Sequence, residues 1–442
     1  MAVNNSLGLP QILIDFKTSA ATAFIRSSRG TVAMILNDEN LREETKFFTV
    51  NEAADIESGL TEGNVDLIKK CLLGTPEKIH VYAIPPESWT ETQIVETTTE
   101  IESTVTVWIP NDETEDESDG ASETVETMVT VPTTTTVTAT VQSAITAENI
   151  LPEIGDMKFN YICHPTGSAQ NQTDLAAWVK AKRKNKNKTF KAVAAHVAAD
   201  SEGVINFTTE NIRVTNPAYT DALAEVNGDI ELLENPPAQY VSYTAAQYTS
   251  RIAGILAGIA LDRSATYYQL GEVADCKRYS DIGENIDAGE LCIFDAHDGN
   301  GVKIARGVNS LTTFTAEHGE DLRFLRIVEA VDLIADDISN TFKSDYVGKV
   351  INSLTNKNLL ISAINTYFTG LVGQGILSGD GDNYVEIDLA ANLNWAKQHS
   401  IDTSDFSEEQ IREVNTGSNV FLTGVVRVQN AMEDLQINFT LQ

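Results

Sequence analysis

Cysteine, positive charge and long apolar runs are all scarce in this sequence. Its 442 residues include four cysteines, at positions 71, 163, 276 and 292, too few and too scattered for a disulfide framework or a zinc site. The longest apolar run is ten residues between Arg251 and Asp262, whereas a membrane-spanning helix needs about 20. The N-terminus has neither the basic nor the apolar region of a signal peptide. We therefore expect a soluble protein without membrane insertion, made in a reducing cytoplasm.

Positively charged residues are especially scarce in one part of the chain. The chain has 31 Lys and Arg against 64 Asp and Glu, a formal net charge of −33, which repels phosphate and excludes nucleic acid as an expected partner. No Lys or Arg lies between Lys78 and Lys158, a gap that holds 16 acidic residues and many threonines. β-Branched residues recur there at every second position, as is typical of strands. We interpret residues 88–150 as an inserted, outward-facing, Thr-rich acidic β-domain; a disordered acidic tract is the alternative.

The rest of the chain alternates apolar strand patterns with amphipathic helix patterns. Strands are predicted at 31–36, 79–84, 159–163 and 190–197, and helices at 64–73, 173–184, 243–262, 320–343 and 356–371. Gly254 and Gly258, four residues apart on one predicted helix, indicate two closely packed backbones. The predicted fold class is α+β and multidomain, with a mixed β-sheet core, covering helices, an inserted all-β domain and extended N- and C-terminal β arms.

Motifs that would indicate catalysis are incomplete. Gly373 and Gly375 lack the third glycine of a dinucleotide site, and Gly348 with Lys349 lacks the upstream glycine of a phosphate loop. The six histidines show no paired spacing, and no serine lies in a nucleophile-elbow pattern. We therefore expect a protein that is not an enzyme, with no catalytic residue, no cofactor and no metal site.

One basic cluster interrupts the acidic sequence at residues 180–191. A solvated helix end explains the cluster most simply. In so acidic a protein, the alternative is that it contacts an acidic surface on another copy of the chain. The candidate residues for such an intersubunit electrostatic patch are Lys180, Lys182, Arg183 and Lys184.

Both ends of the chain alternate apolar and polar residues in the manner of strands. The C-terminal residues 420–429 and 435–441 predict a two-stranded ribbon with one apolar face. A lone hairpin is only marginally stable and open edges accept further strands, so the terminal strands either close a sheet together or complete sheets in neighbouring subunits. The candidate residues for intersubunit strand pairing are Ile12, Leu13, Ile14, Asp15, Phe16, Val420, Leu422, Val426, Val428, Leu435, Ile437, Phe439 and Leu441.

Six segments of the sequence resemble contractile phage tail sheath proteins, a family also found in phage-tail-like R-type bacteriocins. They are residues 8–36, 175–195, 250–270, 286–314, 320–338 and 421–441. The first has an arm ahead of Arg29-Gly30-Thr31, and the third has an Ala-Gly-x-x-Ala-Gly helix followed by Ser264-x-Thr266. The order and spacing of the segments carry the resemblance, and residues 88–150 lie where sheath proteins have a variable outward-facing β-domain.

The resemblance implies a structural subunit that polymerises as hexameric rings around a tail tube and contracts to drive the tube through a target cell envelope. The implied partners are further copies of the chain, the tail tube protein, and the baseplate and tail terminator proteins. The implied location is a virion tail or tail-like particle, assembled in the bacterial host cytoplasm. The alternative is a bacterial surface or adhesion protein, which the acidic Thr-rich segment suggests.

The same resemblance predicts the domain organisation. The regions are an N-terminal arm at 1–22, the first part of the sheath core at 23–87, the inserted β-domain at 88–150, a central α/β domain at 151–330, a C-terminal domain at 331–419 and a C-terminal β arm at 420–442.

Overall fold

The computed structural model describes residues 29–42, 44–110, 120–186, 188–229, 235–316 and 318–440. The strands are β1 (Thr31–Asn37), β2 (Lys46–Val50), β3 (Lys78–Ile84), β4 (Ser88–Pro110), β5 (Gly120–Gln142), β6 (Tyr161–Cys163), β7 (Lys191–Ala195), β8 (Val204–Phe207), β9 (Ile212–Thr215), β10 (Tyr240–Tyr243), β11 (Val273–Asp275), β12 (Glu290–Leu291), β13 (Ile293–Asp295), β14 (Val302–Ile304), β15 (Tyr384–Ile387) and β16 (Leu422–Val425). The helices are α1 (Glu62–Leu72), α2 (Ala147–Ile154), α3 (Ala169–Lys186), α4 (Pro217–Glu225), α5 (Ala245–Gly258), α6 (Ile282–Asp287), α7 (Leu325–Thr341), α8 (Leu354–Gly373), α9 (Leu389–Gln398) and α10 (Glu408–Glu413).

The main sheet has seven strands in the order β12, β8, β7, β6, β1, β3, β2. Neighbouring strands are parallel throughout, except for the antiparallel edge strand β2. The central strands are continuous apolar runs because helices cover both faces, and in β1 the residues from Val32 to Leu36 are at most 1% exposed.

Side chains of successive β1 residues enter two different cores. Val32 and Met34 face a core to which α1 and α5 contribute, whereas Ala33 and Ile35 face a core to which α2 and α3 contribute. This alternation follows from the two-residue repeat of a strand. The predicted mixed sheet with covering helices is therefore confirmed.

Helix α5 packs against α1 at very short range, as the glycine spacing predicted. A Cβ atom on Gly254 would lie 2.1 Å from the carbonyl oxygen of Cys71, and one on Gly258 would lie 1.9 Å from that of Gly74. The helix begins at a capping box in which the side chain of Thr244 accepts a hydrogen bond from the backbone N–H of Gln247. The small residues of α5 therefore serve close backbone contact within one subunit.

The Thr-rich insertion forms one long antiparallel ribbon. Strands β4 and β5 pair residue for residue, from Ser88 opposite Gln142 to Pro110 opposite Gly120. The predicted strands are confirmed, but the predicted small β-domain and its end at residue 150 are corrected. The ribbon ends at Gln142, and the buried residues of α2 already belong to the main core. Alternation of β-branched residues indicates strands without indicating whether either face is covered, and Ile94 remains 70% exposed.

The C-terminal part has its own core between α7 and α8. Leu333 and Phe368 are at most 2% exposed there, and β15 and β16 form a two-stranded sheet whose residues Val385 and Leu422 pack against the same core. The helix predicted at 320–343 is α7, preceded by a 3-10 turn at Glu320–Arg323 and followed by a π-helical turn at Phe342–Tyr346. The helix predicted at 356–371 is α8.

Candidate assembly interface

The segment 420–429 pairs with a strand of its own subunit, β15, which lies just before α9 in the chain. Strand β16 is antiparallel to β15, with Leu422 opposite Ile387 and Val425 opposite Tyr384. Beyond it, the backbone N–H of Gln429 donates to the carbonyl oxygen of Ile376 at 3.0 Å. The predicted C-terminal ribbon of 420–429 with 435–441 is therefore wrong within the described residues. Periodicity identified the first strand correctly, but periodicity alone cannot identify a strand's partner.

Within this segment the four predicted pairing residues differ in exposure. Val420, Leu422 and Val428 are half-buried against the C-terminal core, whereas Val426 is 39% exposed. Three of these side chains thus already pack within their own subunit. The part of the segment that remains accessible to another chain is the main-chain edge of the strand.

The β15–β16 sheet is open along β16, since no third strand joins it within the described ranges. At the outer edge of β15, by contrast, the side-chain amide of Asn365 on α8 bonds both the main-chain N–H and the carbonyl oxygen of Val385, at 2.8 and 3.2 Å. The N–H of Asp388 donates to the carbonyl oxygen of Phe421, and this hydrogen bond identifies which residues of β16 direct their main-chain groups toward β15. By antiparallel alternation, the N–H groups of Thr423 and Val425 face β15, and those of Gly424 and Val426 face the other edge. This edge presents main-chain donors beside exposed valine side chains and can accept another strand.

The tail that follows carries exposed apolar residues at every second position. Residues 430–440 contain neither helix nor strand. Leu435 is 85% exposed, Ile437 57% and Phe439 85%. Such exposure in a regular alternation is typical of a strand that lacks its sheet. Leu441 and the predicted N-terminal pairing residues, Ile12, Leu13, Ile14, Asp15 and Phe16, lie outside the described residues.

Arg183, predicted to belong to a surface patch, is bound inside its own subunit. Its guanidinium nitrogens donate to the two carboxylate oxygens of Asp332 on α7 at 3.0 and 3.1 Å, and a third nitrogen lies 3.4 Å from Glu202. These partners raise the pKa of Arg183 against the opposing effect of burial. The prediction is corrected for this residue, because distant carboxylates that sequence spacing does not reveal already pair with it.

The three lysines of the predicted patch differ in availability. Lys180 donates to the carbonyl oxygens of Ala199 at 2.7 Å and Asp200 at 3.2 Å. The ammonium of Lys182 lies over the ring of Trp178, 5.6 Å from its centre, and Lys184 is exposed. Any intersubunit patch here therefore consists of Lys184 and part of Lys182.

A buried charge cluster that sequence reasoning missed joins the main sheet to α7. Lys191 on β7 is fully buried, and its Nζ lies 2.7 Å from both Glu329 and Asp332. Glu329 also accepts hydrogen bonds from Arg29 and Tyr161. The available signal was the placement of two carboxylates, three residues apart, on the otherwise apolar face of α7.

Electrostatics hold this cluster in its charged form. Burial opposes ionisation of Glu329, but the positive charges of Arg29 and Lys191, with hydrogen bonds from Lys191 and Tyr161, lower its pKa to about 2. Buried Asp and Glu residues are stable only when paired in this way. The cluster thus fixes α7 against the sheet and contributes rigidity to the subunit.

Other groups capable of chemistry are buried in the interior of the fold. The four cysteines are free and buried, and burial raises the pKa of Cys276 to about 11. His164 is hydrogen-bonded to Asn37, and burial lowers its pKa to about 4. Across the described ranges, no group of three or more His, Cys, Asp or Glu residues is placed to hold a metal ion. None of the described helices is long and apolar enough to cross a membrane.

Family models cover both large parts of the chain. Residues 138–310 match the model described as the phage tail sheath protein central domain. Residues 317–442 match the model described as the phage tail sheath C-terminal domain. The boundary between the two matches falls just before α7.

Individual proteins match over nearly the full length. The tail sheath protein of Clostridium phage phiCD119 is 30% identical over 433 residues, covering 97% of this chain and 98% of that protein. The solved sheath tail protein of Listeria innocua has a TM-score of 0.56 and 17% identity, with 93% and 98% of the two chains covered. The contracted helical sheath of the anti-feeding prophage has a TM-score of 0.59 and 12% identity, covering 98% and 99%; at these identities the two structures show the fold alone. The chain belongs to the phage tail sheath family of contractile injection systems, whose members are structural proteins and not enzymes.

Proposed function

We propose that the chain polymerises as hexameric rings stacked around a tail tube, and that this sheath contracts to drive the tube through a target cell envelope. The single observation that carries the proposal has two parts: a two-stranded sheet with an open edge, and a C-terminal segment that has the pattern of a strand but pairs with no sheet among the described residues. The β15–β16 pair has an edge open for a further strand, and residues 435–440 have the exposed alternation of a strand without a sheet.

Strand exchange between subunits satisfies both features at once. If segment 435–440 of one subunit pairs with an open edge of the next, its main-chain groups gain ladder partners and its apolar side chains gain cover. Burial of Leu435, Ile437 and Phe439 contributes about 4–8 kcal/mol per joint before the cost of ordering the segment. Joints of this kind keep subunits connected while their rigid bodies move relative to each other.

The remaining expectations follow from the same proposal. The N-terminal arm, through Ile12, Ile14 and Phe16, would supply a second strand to a neighbouring sheet. The tail tube, baseplate and tail terminator proteins would be the partners, and assembly would take place in the host cytoplasm before the particle is complete. The similar anti-feeding prophage protein has been solved as a helical sheath in the contracted state, which supports the contraction step. The six-region domain division is part of the proposal, with the end of the inserted region moved from residue 150 to Gln142.

Electron microscopy of the purified protein tests the proposal. We expect hollow cylinders or stacked rings from the natural chain. Replacing Leu435, Ile437 and Phe439 with serine should abolish them and leave the monomer melting temperature unchanged, because these side chains are already exposed in the monomer.

The matched control changes the opposite face of the same segment, with serine at Gln436, Asn438 and Thr440. This variant should form cylinders as the natural chain does. Cylinders from the apolar-face variant, or a sharply lowered melting temperature in its monomer, would contradict strand exchange by this segment.

A further inference from the structure

The C-terminal tail touches the central part of the fold through one nearly buried side chain, Glu433. Only 8% of this side chain is exposed, whereas its neighbours Met432 and Asp434 are almost fully exposed. Its carboxylate enters a notch between two loops, the turn after α5 and the loop between β14 and α7. The notch includes Ser264 and Thr266, the Ser-x-Thr pair of the sequence.

Three donors converge on this carboxylate. The hydroxyls of Ser264 and Thr266 each lie 2.8 Å from its Oε1 atom, and the Nε of Arg306 lies 3.1 Å from its Oε2 atom. Arg306 also contacts the exposed Asp434 at 2.5 Å. Hydrogen bonds to an ionised group, with a guanidinium among the donors, are the stronger kind.

The notch is organised by its own backbone. The N–H of Thr266 donates to the Ser264 hydroxyl oxygen at 3.1 Å, and the N–H of Gly307 donates to the Thr266 hydroxyl oxygen at 2.9 Å. Each hydroxyl oxygen therefore already accepts a hydrogen bond, and each hydroxyl can donate its own proton to Glu433. For Ser264 the other acceptor within reach, the hydroxyl oxygen of Thr266, is farther away, at 3.1 Å. Both loops thus present a prepared carboxylate-binding site.

We propose that Ser264, Thr266 and Arg306 form a carboxylate-binding notch that anchors Glu433 and thereby sets the direction and reach of segment 435–440. The last main-chain attachment before the notch is Gln429. Phe439 lies six residues beyond Glu433 and ten beyond Gln429, so anchoring shortens its maximum reach from roughly 35 Å to roughly 20 Å. The anchor restricts which neighbouring edge the segment can meet and reduces the freedom lost on pairing. Its role in assembly rests on the strand exchange proposed above.

A distance measurement on the monomer tests the anchor without requiring assembly. Spin labels are placed at Ala177→Cys, exposed on α3, and Gln436→Cys, exposed just beyond the notch. The native cysteines are all buried, so labelling is selective. Double electron–electron resonance then compares the natural notch with Glu433→Gln and with the pair Ser264→Ala, Thr266→Val. We expect the distance distribution to broaden about twofold in both variants, as a released linker would.

Asp434→Asn is the matched control, because this neighbouring carboxylate is 85% exposed and contacts a different nitrogen of Arg306 from the one that binds Glu433. It should leave the distribution narrow. A distribution in Glu433→Gln as narrow as in the natural chain would overturn the anchor. In assembly assays on unlabelled protein, Glu433→Gln should raise the concentration needed for cylinders about tenfold. Failure of the natural chain to form cylinders would contradict the proposed function, while the monomer distances would still decide the anchor.

Discussion

The two sheets that organise this chain differ in how much of their bonding they complete themselves. The seven-stranded sheet has helices on both faces, and its interior strand β1 is almost completely buried. The β15–β16 sheet has two strands, an open edge along β16, and exposed residues such as Tyr384 and Val425. The first is stable by its own packing, whereas an isolated two-stranded sheet gains stability from a further strand. The comparison teaches that the fold combines a sheet complete in itself with a small sheet that keeps one edge open, the edge that a neighbouring subunit completes under the proposed function.

Blocking the open edge should have the largest effect on assembly and almost none on the monomer. Val426→Pro removes an outward-facing N–H donor, and the preceding residue, Val425, is in a strand, the conformation that a following proline favours. We expect complete loss of cylinders by electron microscopy, with a monomer free energy of unfolding within about 1 kcal/mol of the natural value.

The neighbouring substitution Val425→Pro is the control for that experiment. Its N–H faces β15, so this variant should weaken the sheet within the subunit and lower monomer stability. Cylinders from Val426→Pro would show that the open edge does not carry the intersubunit ladder.

Breaking the charge cluster should have the largest effect on the rigid body. Lys191→Ala leaves Glu329 and Asp332 without their shared buried cation. We expect a loss of about 3–5 kcal/mol in the free energy of urea unfolding. Lys184→Ala removes an exposed lysine and should change it by less than about 0.5 kcal/mol. Equal effects of the two substitutions would contradict a structural role for the cluster.

Acid should weaken the same buried charge cluster. The pKa of Glu329 is lowered from its ordinary 4.5 to about 2, so its stabilising contribution is complete above pH 4.5 and is lost as the pH falls toward 2. This contribution is about 3 kcal/mol. Urea unfolding between pH 5 and pH 2 should therefore show a shallower loss of stability in Glu329→Gln than in the natural chain. Parallel pH profiles would refute the assignment.

Helix contact beneath the main sheet is sensitive to a single methyl group. Gly254→Ala places a Cβ atom 2.1 Å from the carbonyl oxygen of Cys71, and the backbones must separate to accept it. We expect a loss of about 1–3 kcal/mol in thermal or urea unfolding. Gly370→Ala, in α8, meets no atom within 4 Å and should instead stabilise by about 0.5–1 kcal/mol. Similar results at both glycines would argue against the close α1–α5 contact.

Shortening the Thr-rich ribbon should have the smallest effect. Deleting residues 92–138 and joining the remaining strands with a two-residue Asn-Gly turn keeps the pairing of Trp89 with Val141. We expect unchanged cylinders and a change in unfolding free energy below about 1 kcal/mol, since loop length affects stability only slowly. Loss of cylinders from this folded variant would show that the ribbon takes part in assembly and is not peripheral.

The sequence by itself determined the local structure of both regions. Unbroken apolar runs identified β1 and β3, because a strand covered on both faces has no polar side. The four-residue glycine spacing identified the close contact of α5. Alternation identified β16, and its continuation at 435–439 coincides with exposed apolar side chains. Each of these signals is set by neighbours a few residues apart in the chain.

Only the tertiary structure decided which distant segments meet. It assigned β16 to β15, Arg183 and Lys191 to carboxylates on α7, and Glu433 to the hydroxyls of Ser264 and Thr266. Hydrogen bonds and ion pairs depend on positions in space, and these partners lie from 35 residues apart in sequence (Ile387 and Leu422) to 169 (Ser264 and Glu433). A charged or hydroxyl residue looks the same in the sequence whether its side chain faces water or a partner. Its role therefore became visible only in the folded structure.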